Sequence, residues 1–362
     1  MHRGKQNPPR IYLYIDVLGG GGAERVMANL ANAFVSDGYD TTIITSCRVD
    51  GEYSLDEKVK RFVLEESELK QSRIRRNVGR IAKLRRICKK GKPDILISFM
   101  AESNFRAILA TKFLPVKTLV SVRNDPCKEY PGMEGAFVGK VLLPMADGCV
   151  FQTKDAQQWF PRRLQKKSKV IYNAVNEDFY HIERTPIRGE IVTCGRLAEQ
   201  KNHELLIEAF SEVVKKHPEA VLKIYGEGVL RGRLQRKIEE KRLSQKVFLM
   251  GVTNDVGSVL KTADLFVLSS DYEGMPNALM EALAAGVPCV STDCPCGGPK
   301  ELFGEELKKN LVKCGDSKQL AELISCRLSE CSTGEDEKKR ATLFLPEVVN
   351  AEWEEYVGSL IK

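Results

Sequence analysis

The chain has 362 residues, which exceeds one ordinary hydrophobic core and suits two domains of about 150–200 residues each. Hydrophobic residues make up 43% and charged residues 29%, a composition that excludes a disordered chain. No uncharged apolar run approaches the roughly 18–20 residues of a membrane span, and the early run Ile11–Leu18 carries Asp16, unlike a secretory signal core. We therefore expect a cytoplasmic protein.

Cysteine and histidine usage argues against a disulfide framework or a metal site. The chain has 11 cysteines, an odd number, and several lie within apolar runs where a free thiol behaves as a small hydrophobe. Cys294 and Cys296 form the closest pair, but none of the 4 histidines is near them in sequence. Structural zinc needs four ligands at short spacing. We predict no metal and no other cofactor.

Short β-rich runs alternate with helical periodicity along the first half of the chain. Four glycines follow the first predicted strand and lead into a helix from about Ala23 to Val35. The predicted strands are Ile11–Ile15, Thr41–Thr45, Arg61–Leu64, Ile95–Phe99, Thr118–Val122, Gly148–Phe151 and Lys169–Tyr172. This alternation is typical of a parallel sheet with helical crossovers.

A strongly basic segment lies within this half. The net charge of the chain is +7, yet the segment from Lys70 to Lys92 has 11 Lys and Arg and no acidic residue, so the remainder carries −4. Its apolar residues recur every three or four positions, which predicts an amphipathic helix: Ile74, Val78, Ile81, Leu84 and Ile87. Such a helix either packs on the sheet with a solvated charged face or binds an anionic bilayer or a lipid-linked diphosphate. No aromatic residue interleaves the charges, so we predict no nucleic-acid partner.

A second alternation of strands and helices follows the polar stretch from Asn173 to Gly189. Its predicted strands are Ile191–Cys194, Val221–Tyr225, Val247–Leu249, Leu265–Ser269 and Pro288–Ser291. Its predicted helices are Asn202–Lys216, Leu230–Lys241, Val256–Thr262 and Pro276–Ala285. The acidic-then-basic stretch Gly334–Arg340 is expected to lie on the surface. We therefore predict a Rossmann-like domain at 1–175, a linker at 176–189, a second Rossmann-like domain at 190–345 and a final helix at 346–362.

In open parallel sheets, ligands bind beyond the carboxyl ends of the strands. The first candidate loop contains Gly21 and Gly22, whose backbone amides can approach an anion at the start of a helix. The spacing fails the dinucleotide fingerprint, because its third position is Glu24 or Arg25 and not glycine or alanine. An ordinary tight turn is the alternative interpretation.

The loop after the first strand of the second half carries two cations. Arg196 and Lys201 follow Gly195 and bracket the entry to a helix. Two fixed cations and unpaired backbone amides around one point suit a diphosphate. A solvated basic loop is the alternative.

The loop after Ser269 is the most informative. Gly274 loosens the turn and Pro276 is placed to be the first helical residue, which leaves unpaired amides at Asn277, Ala278 and Leu279. Glu281, about one turn later, offers two acceptors that match a vicinal diol such as a ribose, and Glu273 can reach a separate polyol. A solvated Glu281 is the alternative, but apolar residues flank it and a carboxylate there needs a partner.

These segments together resemble family-4 retaining glycosyltransferases, which adopt the two-Rossmann GT-B fold. The glutamates stand eight positions apart in SDYEGMPNALMEALAAGVPCV (270–290), which is similar to the E-x7-E motif of that family. GRLAEQKNH (195–203) resembles its donor-phosphate loop and GGAER (21–25) its N-terminal glycine loop. VSVRNDP (120–126), VIYNAV (170–175) and GPKE (298–301) also match, in the same order over nearly the whole chain.

The resemblance implies a role for each matched residue. Arg196 and Lys201 would hold the donor diphosphate, Glu281 the nucleotide ribose, and Glu273 the hydroxyls of the donor sugar. Val252 falls where backbone groups of relatives meet the base. The other implied donor-site residues are Gly21, Gly22, Gly195, Gly274, Met275, Pro276, Asn277, Ala278 and Leu279. Family members retain the anomeric configuration, and the implied catalytic contribution of Glu273, Arg196 and Lys201 is stabilisation of the departing nucleotide, with no nucleophile assigned.

One stretch departs from the family pattern. Many relatives carry a histidine just after the fourth strand of the first domain, and SFMAESN (98–104) has none. We expect Asn104, or Arg123 and Asn124 in the next loop, to contact the acceptor or the sugar instead. The sequence also lacks the Asp-x-Asp motif of metal-dependent glycosyltransferases, which fits metal-independent transfer.

The residues and the resemblance together predict an α/β protein of GT-B architecture, with two Rossmann-like domains facing across a cleft and a final helix crossing back to the first. The predicted reaction moves a hexose or N-acetylhexosamine from a nucleotide sugar, UDP-linked, to a glycan on polyprenyl diphosphate. We expect peripheral binding at the inner face of the cell membrane, with Arg76, Arg80 and Lys83 contacting the acceptor or the anionic surface. The alternatives are another GT-B enzyme, such as a phosphorylase or a sugar-nucleotide epimerase, and a non-catalytic nucleotide-sugar-binding protein.

Overall fold

The computed structural model describes residues 8–65, 72–330 and 333–361. The predicted ends of the basic segment and of the final helix, Lys70 and Lys362, lie outside these ranges. The described residues of Met1–Ile171 and Asn350–Lys362 form one compact unit, and those of Tyr172–Val349 form a second.

The first unit is built on a parallel seven-stranded sheet of order β3-β2-β1-β4-β5-β6-β7. Its strands are β1 (Arg10–Ile15), β2 (Asp40–Thr45), β3 (Lys60–Val63), β4 (Ile95–Phe99), β5 (Lys117–Ser121), β6 (Gly148–Phe151) and β7 (Ser168–Val170). The continuous apolar sequence of β4 is buried at every position because helices cover the sheet. All seven strands predicted from the sequence are present, with ends that differ by at most two residues.

The helices of this unit lie between the strands. They are α1 (Gly22–Ser36), α2 (Arg73–Gly91), α3 (Ala101–Thr111), α4 (Pro126–Glu129), α5 (Gly132–Phe137), α6 (Lys154–Trp159) and α7 (Arg162–Gln165). The basic segment forms α2, where Ser72 caps the start by accepting a hydrogen bond from the Arg75 amide at 3.4 Å. A π-helical turn (Val138–Leu142) and a 3-10 turn (Leu143–Met145) continue α5.

The second unit contains a parallel six-stranded sheet of order β10-β9-β8-β11-β12-β13. Its strands are β8 (Glu190–Cys194), β9 (Val221–Tyr225), β10 (Val247–Gly251), β11 (Leu265–Leu268), β12 (Cys289–Asp293) and β13 (Leu311–Lys313). Its helices are α8 (His203–Lys216), α9 (Arg231–Glu240), α10 (Val256–Thr262), α11 (Asn277–Ala284), α12 (Gly298–Phe303), α13 (Ser317–Ser329) and α14 (Glu335–Ala341), and α15 (Pro346–Ile361) begins in it. Two parallel, Rossmann-like sheets in series are therefore confirmed.

Residues 172–189 belong to the second unit. A 3-10 turn occupies Glu177–His181, and the Tyr180 hydroxyl donates to the Ala341 carbonyl at 2.9 Å. The Arg184 guanidinium donates to the carbonyls of Ala263 and Gly286 at 2.8 and 2.7 Å. These hydrogen bonds tie the polar stretch to the body of the second unit.

The stretch 334–340 lies largely on the surface, as predicted, with Glu335, Asp336, Lys338 and Lys339 exposed. It forms most of α14, in which Glu337 is 1% exposed and pairs with Arg327 at 3.4 Å. Burial raises the pKa of Glu337. Glu337 is the exception to the surface prediction, because its compensating arginine lies on α13, outside the stretch.

The final helix α15 returns its last turns to the first unit. Trp353 is 1% exposed and stacks on Phe99 of β4, with ring centroids 5.8 Å apart. The Tyr356 hydroxyl accepts a hydrogen bond from the Cys149 amide of β6 at 3.1 Å. The C-terminal residues are therefore part of the core of the first unit. Among the described residues, no helix has both the length and the apolar character needed to cross a bilayer.

Trp353→Ala tests that contribution. Loss of a fully buried indole should lower the free energy of unfolding by about 3–5 kcal/mol, measured by urea denaturation followed by circular dichroism. The control is Glu355→Ala on the same helix, which removes a largely exposed ion pair with Lys169 and should change the free energy of unfolding far less. Equal losses for the two variants would contradict the packing of α15 on the first unit.

Candidate functional site

The loops that follow β8, β9 and β10 contact one another at the carboxyl edge of the second sheet. The Gly226 amide donates to the Gly251 carbonyl at 2.8 Å, and the Leu197 amide donates to the Glu227 carbonyl at 2.9 Å. A Cβ on Gly226 would lie 1.9 Å from the Gly195 carbonyl oxygen, so glycine is required for this approach. This edge is where ligands of open parallel sheets bind.

A buried ion pair links the loop after β8 to the loop after β11. Lys201 donates to Oε1 of Glu273, with Nζ and Oε1 2.5 Å apart, and the carboxylate is 8% exposed. Oε1 also accepts from the Ser270 hydroxyl at 2.7 Å, and Oε2 accepts from Nε2 of Gln200 at 3.2 Å. The structure therefore brings together two residues that the sequence placed in one site. Ser270 and Gln200 support the pair and were not singled out, although both lie within the quoted motifs.

Arg196 differs from Lys201 in its surroundings. Its side chain is exposed, and within the described ranges its guanidinium has no hydrogen-bond or ion-pair partner. At Gly195 a Cβ would lie 3.0 Å from Cε of Lys201, so the glycine leaves room for the lysine. Burial, with the Lys201 charge, lowers the pKa of His203 to about 4, so this imidazole is neutral at pH 7. The loop thus offers one exposed and one paired cation.

The start of α11 differs in two details from the prediction. Pro276 precedes the helix as its N-cap residue with φ −75° and ψ 102°, so the first helical residue is Asn277. The Leu279 amide is not unpaired, because it donates to the Pro276 carbonyl at 3.1 Å in a tight first turn. Asn277 and Ala278 carry the remaining amides of that turn, and the Asn277 side chain accepts from Asn173 at 2.6 Å.

Glu281 is buried on α11 with 5% exposure. Burial, reinforced by the negative charge of Glu281, raises the pKa of Cys194 at the end of β8 to about 12, and Lys201 opposes this effect. Glu281 therefore lies close to the end of β8 and to the loop with the two cations. A solvated Glu281, the alternative open at the sequence level, is excluded.

Other donor-site candidates of the second unit surround this group. A Cβ on Gly298 at the start of α12 would lie 1.8 Å from the Gly274 carbonyl oxygen, so these two loops are in direct contact. Met275 is 6% exposed, whereas Val252 is 71% exposed just after Gly251. Val252 is therefore an exposed apolar side chain in the loop after β10.

The glycine loop of the first unit carries a negative charge. Gly20 has φ +83°, a conformation that favours glycine, and α1 begins at Gly22. A Cβ on Gly21 would lie 2.2 Å from Oε2 of Glu24, so a carboxylate already lies against the start of α1. An anion bound at Gly21 and Gly22 requires Glu24 to move.

Two of the three residues expected to contact the acceptor are buried. Asn104 is 0% exposed, and its amide group donates to the Ser121 carbonyl and accepts from the Ser98 hydroxyl, both at 2.8 Å. Arg123 is 7% exposed, its guanidinium lies 4.4 Å from the Phe99 ring centroid, and burial lowers its pKa to about 9. Neither side chain is presented to an acceptor in this structure, which corrects that expectation.

Asn124 is half-buried in the same loop. Its amide donates to Oε2 of Glu129 at 3.1 Å, and its side chain accepts from the Asp125 amide at 2.9 Å. Burial raises the pKa of Glu129 to about 7. The loop after β5 is therefore held by its own residues, and Asn124 is its most accessible candidate.

Of the three basic residues chosen on α2, Arg80 points inward, whereas Lys83 is exposed and its ammonium binds a backbone carbonyl. Arg80 is 9% exposed and pairs with Glu65 at 2.8 Å and with Asp16 at 3.5 Å. Lys83 donates to the Leu64 carbonyl at 2.7 Å. The expectation that Arg80 faces a membrane or an acceptor was wrong, because its partners Asp16 and Glu65 follow β1 and β3, far from α2 in sequence. For the exposed Lys83 it stays a prediction.

The apolar stripe of α2 is also divided. Leu84 is buried, and Ile81 and Ile87 pack against the core. Ile74 and Val78, nearer the start of the helix, are 77% and 61% exposed. Arg76, the third basic residue chosen, is half-buried beside them. The apolar packing of the helix on the core therefore begins at Ile81, and the exposed apolar residues lie before it.

Comparison with known proteins agrees with this architecture. Residues 20–179 match the model described as Glycosyltransferase Family 4, and residues 183–342 match Glycosyl transferases group 1. An uncharacterised glycosyltransferase of Methanocaldococcus jannaschii is 31% identical over 63% of this chain and 62% of its own length, less than two thirds of that relative.

Two further proteins are similar over most of the chain. An N-acetylgalactosamine-N,N'-diacetylbacillosaminyl-diphospho-undecaprenol 4-alpha-N-acetylgalactosaminyltransferase of Campylobacter jejuni is 28% identical over 82% of this chain and 84% of its own. The Anabaena protein HepE, solved with UDP and glucose, superposes with a TM-score of 0.80 at 18% identity, over 96% of this chain and 99% of HepE. The chain therefore belongs to the family-4, group-1 glycosyltransferases and has the fold of the GT-B class.

Gly298→Ala tests the contact between the loops that flank Glu273. The new Cβ overlaps the Gly274 carbonyl, so we expect a loss of about 1–3 kcal/mol in the free energy of unfolding. The matched control is Gly232→Ala in α9, where a Cβ meets nothing within 4 Å and the higher helix propensity of alanine should add up to about 1 kcal/mol. Urea denaturation of both variants should give opposite signs, and a stabilised Gly298→Ala would contradict the described packing.

Proposed function

We propose that this protein is a retaining glycosyltransferase that uses a UDP-linked hexose or N-acetylhexosamine as donor and a polyprenyl-diphosphate-linked glycan as acceptor. The observation that carries the proposal is the group at the carboxyl edge of the second sheet. There Lys201 pairs with Glu273, Arg196 is exposed without a partner in the described chain, and Glu281 lies buried near the end of β8.

The cations suit a leaving diphosphate. As the bond between the sugar C1 and the β-phosphate oxygen breaks, its electron pair stays on the diphosphate, and positive side chains stabilise that charge. The acceptor hydroxyl forms the new bond to C1 on the same face, and its proton passes to the released diphosphate. This route needs no protein nucleophile, and we propose that it needs neither a metal nor another cofactor.

The Glu273 carboxylate keeps hydrogen bonds within the protein when Lys201 turns towards the nucleotide sugar. The carboxylate also accepts from Ser270 and Gln200, so two donors remain when the lysine is shared with a phosphate. Its position on the loop before α11 suits hydrogen bonds to sugar hydroxyls. Glu281, on α11 itself, likewise offers two carboxylate oxygens that can accept hydrogen bonds from a ribose diol.

The comparisons support this choice of donor and acceptor. The name of the Campylobacter relative specifies a diphospho-undecaprenol acceptor and an N-acetylgalactosaminyl group. HepE was solved with UDP and glucose. We propose the same classes for this chain, with peripheral binding at the inner face of the membrane where a lipid-linked acceptor is found.

Arg196→Ala tests the diphosphate contact. Because its guanidinium has no partner in the described residues, its removal should leave stability unchanged. UDP affinity in calorimetry should fall by about tenfold to 100-fold, the equivalent of one charge-assisted hydrogen bond or two. Binding of uridine, which has no phosphate, should change less than about twofold.

The matched control for that experiment is Arg188→Ala, an exposed arginine of the same unit. It should bind UDP like the unaltered chain. Equal losses of UDP and uridine affinity in Arg196→Ala would show that the arginine does not act on the diphosphate.

Glu281→Ala tests the ribose contact. We expect UDP affinity to fall by about tenfold or more, because hydrogen bonds to a charged acceptor contribute about 1.5–3 kcal/mol each. The exposed Glu322→Ala on α13 is the control. Unchanged UDP binding by Glu281→Ala in a folded protein would remove Glu281 from the site.

Transfer distinguishes the alternative functions. A glycosyltransferase releases UDP when it is given the donor and a lipid-linked acceptor, whereas a non-catalytic binding protein binds UDP and releases none. A phosphorylase needs pyridoxal phosphate, which is visible as absorbance of the purified protein, and an epimerase inverts a carbon of the donor sugar without extending an acceptor. Transfer that persists in excess chelator would support the absence of a metal requirement.

A further inference from the structure

An exposed apolar stripe runs along α5 and its continuation in the first unit. Met133 is 92% exposed, Phe137 55% and Val141 50%, and their spacing of four places them on one helical face. The segment 132–145 carries one acid, Glu134, and one base, Lys140. Three large side chains in a row on the surface exceed the scattered exposed hydrophobics of a soluble protein.

Two further exposed apolar side chains, Met145 and Phe113, extend this apolar surface. Met145, which ends the 3-10 turn after α5, is 40% exposed and lines a cavity of about 430 Å³ together with Phe113. Phe113 is 91% exposed and has φ +63°, a left-handed conformation that is unfavourable for a bulky residue. The Lys112 ammonium lies 5.3 Å from its ring centroid.

Basic residues of α2 lie beside this apolar surface. The α3 helix packs against both α2 and the continuation of α5, so the three form one layer. The Arg85 guanidinium donates to the carbonyls of Ala110 and Lys112 at 3.0 and 2.6 Å, which places the end of α2 next to Phe113. The cations exposed on the last turns of α2 are Arg86, Lys89 and Lys90.

The two units differ in net charge. The residues of the first unit include 32 Lys and Arg against 21 Asp and Glu, a net charge of +11, whereas the second carries −4. An apolar stripe bordered by uncompensated cations matches a surface that offers negative headgroups and an apolar interior. A second copy of the same face would bring like charges together.

We propose that the outer face of the α2, α3 and α5 layer binds an anionic lipid bilayer, with Met133, Phe137 and Val141 inserted between the headgroups and Arg86, Lys89 and Lys90 contacting them. This inference deepens the proposed function, because it names the surface through which the enzyme reaches a lipid-linked acceptor. It also replaces Arg80, whose side chain is buried in the unit, and Lys83, whose ammonium is bound to the Leu64 carbonyl.

The test is flotation with vesicles of phosphatidylglycerol in phosphatidylcholine, compared with phosphatidylcholine alone. The full chain should float with the anionic vesicles. The variant Met133→Ser/Phe137→Ser/Val141→Ser should lose about tenfold or more of its partition coefficient. Arg86→Glu/Lys89→Glu/Lys90→Glu should lose the preference for anionic vesicles. All three side chains of the apolar variant are exposed, so the fold should persist.

A matched control carries three serines at exposed apolar positions of the second unit, Ile187, Phe248 and Val348, which are 53%, 38% and 38% exposed. It should float within about twofold of the unaltered chain. As a depth probe, Phe137→Trp should be quenched by lipids brominated on the acyl chain. UDP binding is measured for every variant and should not change.

The outcomes separate the two proposals. Failure of the unaltered chain to float while it still binds UDP would overturn the membrane surface and leave the proposed function standing. Flotation without UDP binding would support the membrane surface and contradict the proposed function. Equal flotation of the apolar variant and the control would also overturn the proposal. So would loss of a dimer, seen by sedimentation in the apolar variant alone, because a second copy would then cover the stripe.

Discussion

The ion pair between Lys201 and Glu273 is the interaction on which the site depends. A buried carboxylate without a partner costs several kcal/mol, so the loop before α11 keeps its position because the loop after β8 supplies a cation. Ser270 and Gln200 satisfy further lone pairs of the carboxylate. In the proposed reaction the same contact holds the sugar-binding carboxylate beside a phosphate-binding ammonium, so the stability of the loops and the chemistry share one pair of side chains.

The two units differ in the charge that their surfaces carry. The second is mildly acidic overall and concentrates a few cations and carboxylates at one edge of its sheet. The first holds the excess positive charge of the chain, compensates part of it internally through Arg80 and Arg106, and leaves the rest exposed beside an apolar stripe. This division fits a small anionic nucleotide on one unit and an extended anionic surface on the other.

The sequence predicted both sheets, nearly every strand and the grouping of Lys201 with Glu273, because alternating apolar runs and strand-end motifs are local signals. It could not show which cations are compensated. The partners of Arg80 follow β1 and β3, and the partner of Glu337 is Arg327 on α13, pairs that only the fold brings together. For the same reason, the exposure of Phe137 could not be foreseen: its helix reads as amphipathic whether or not another element covers it.

The position of the nucleotide tests the account most directly. A crystal structure with UDP should show the diphosphate within hydrogen-bond distance of Lys201 Nζ and the Arg196 guanidinium, and the ribose hydroxyls on the Glu281 carboxylate. It should also show Glu273 still bound to Ser270. A nucleotide bound away from the carboxyl edge of the second sheet, or one whose phosphates contact neither cation, would contradict the account.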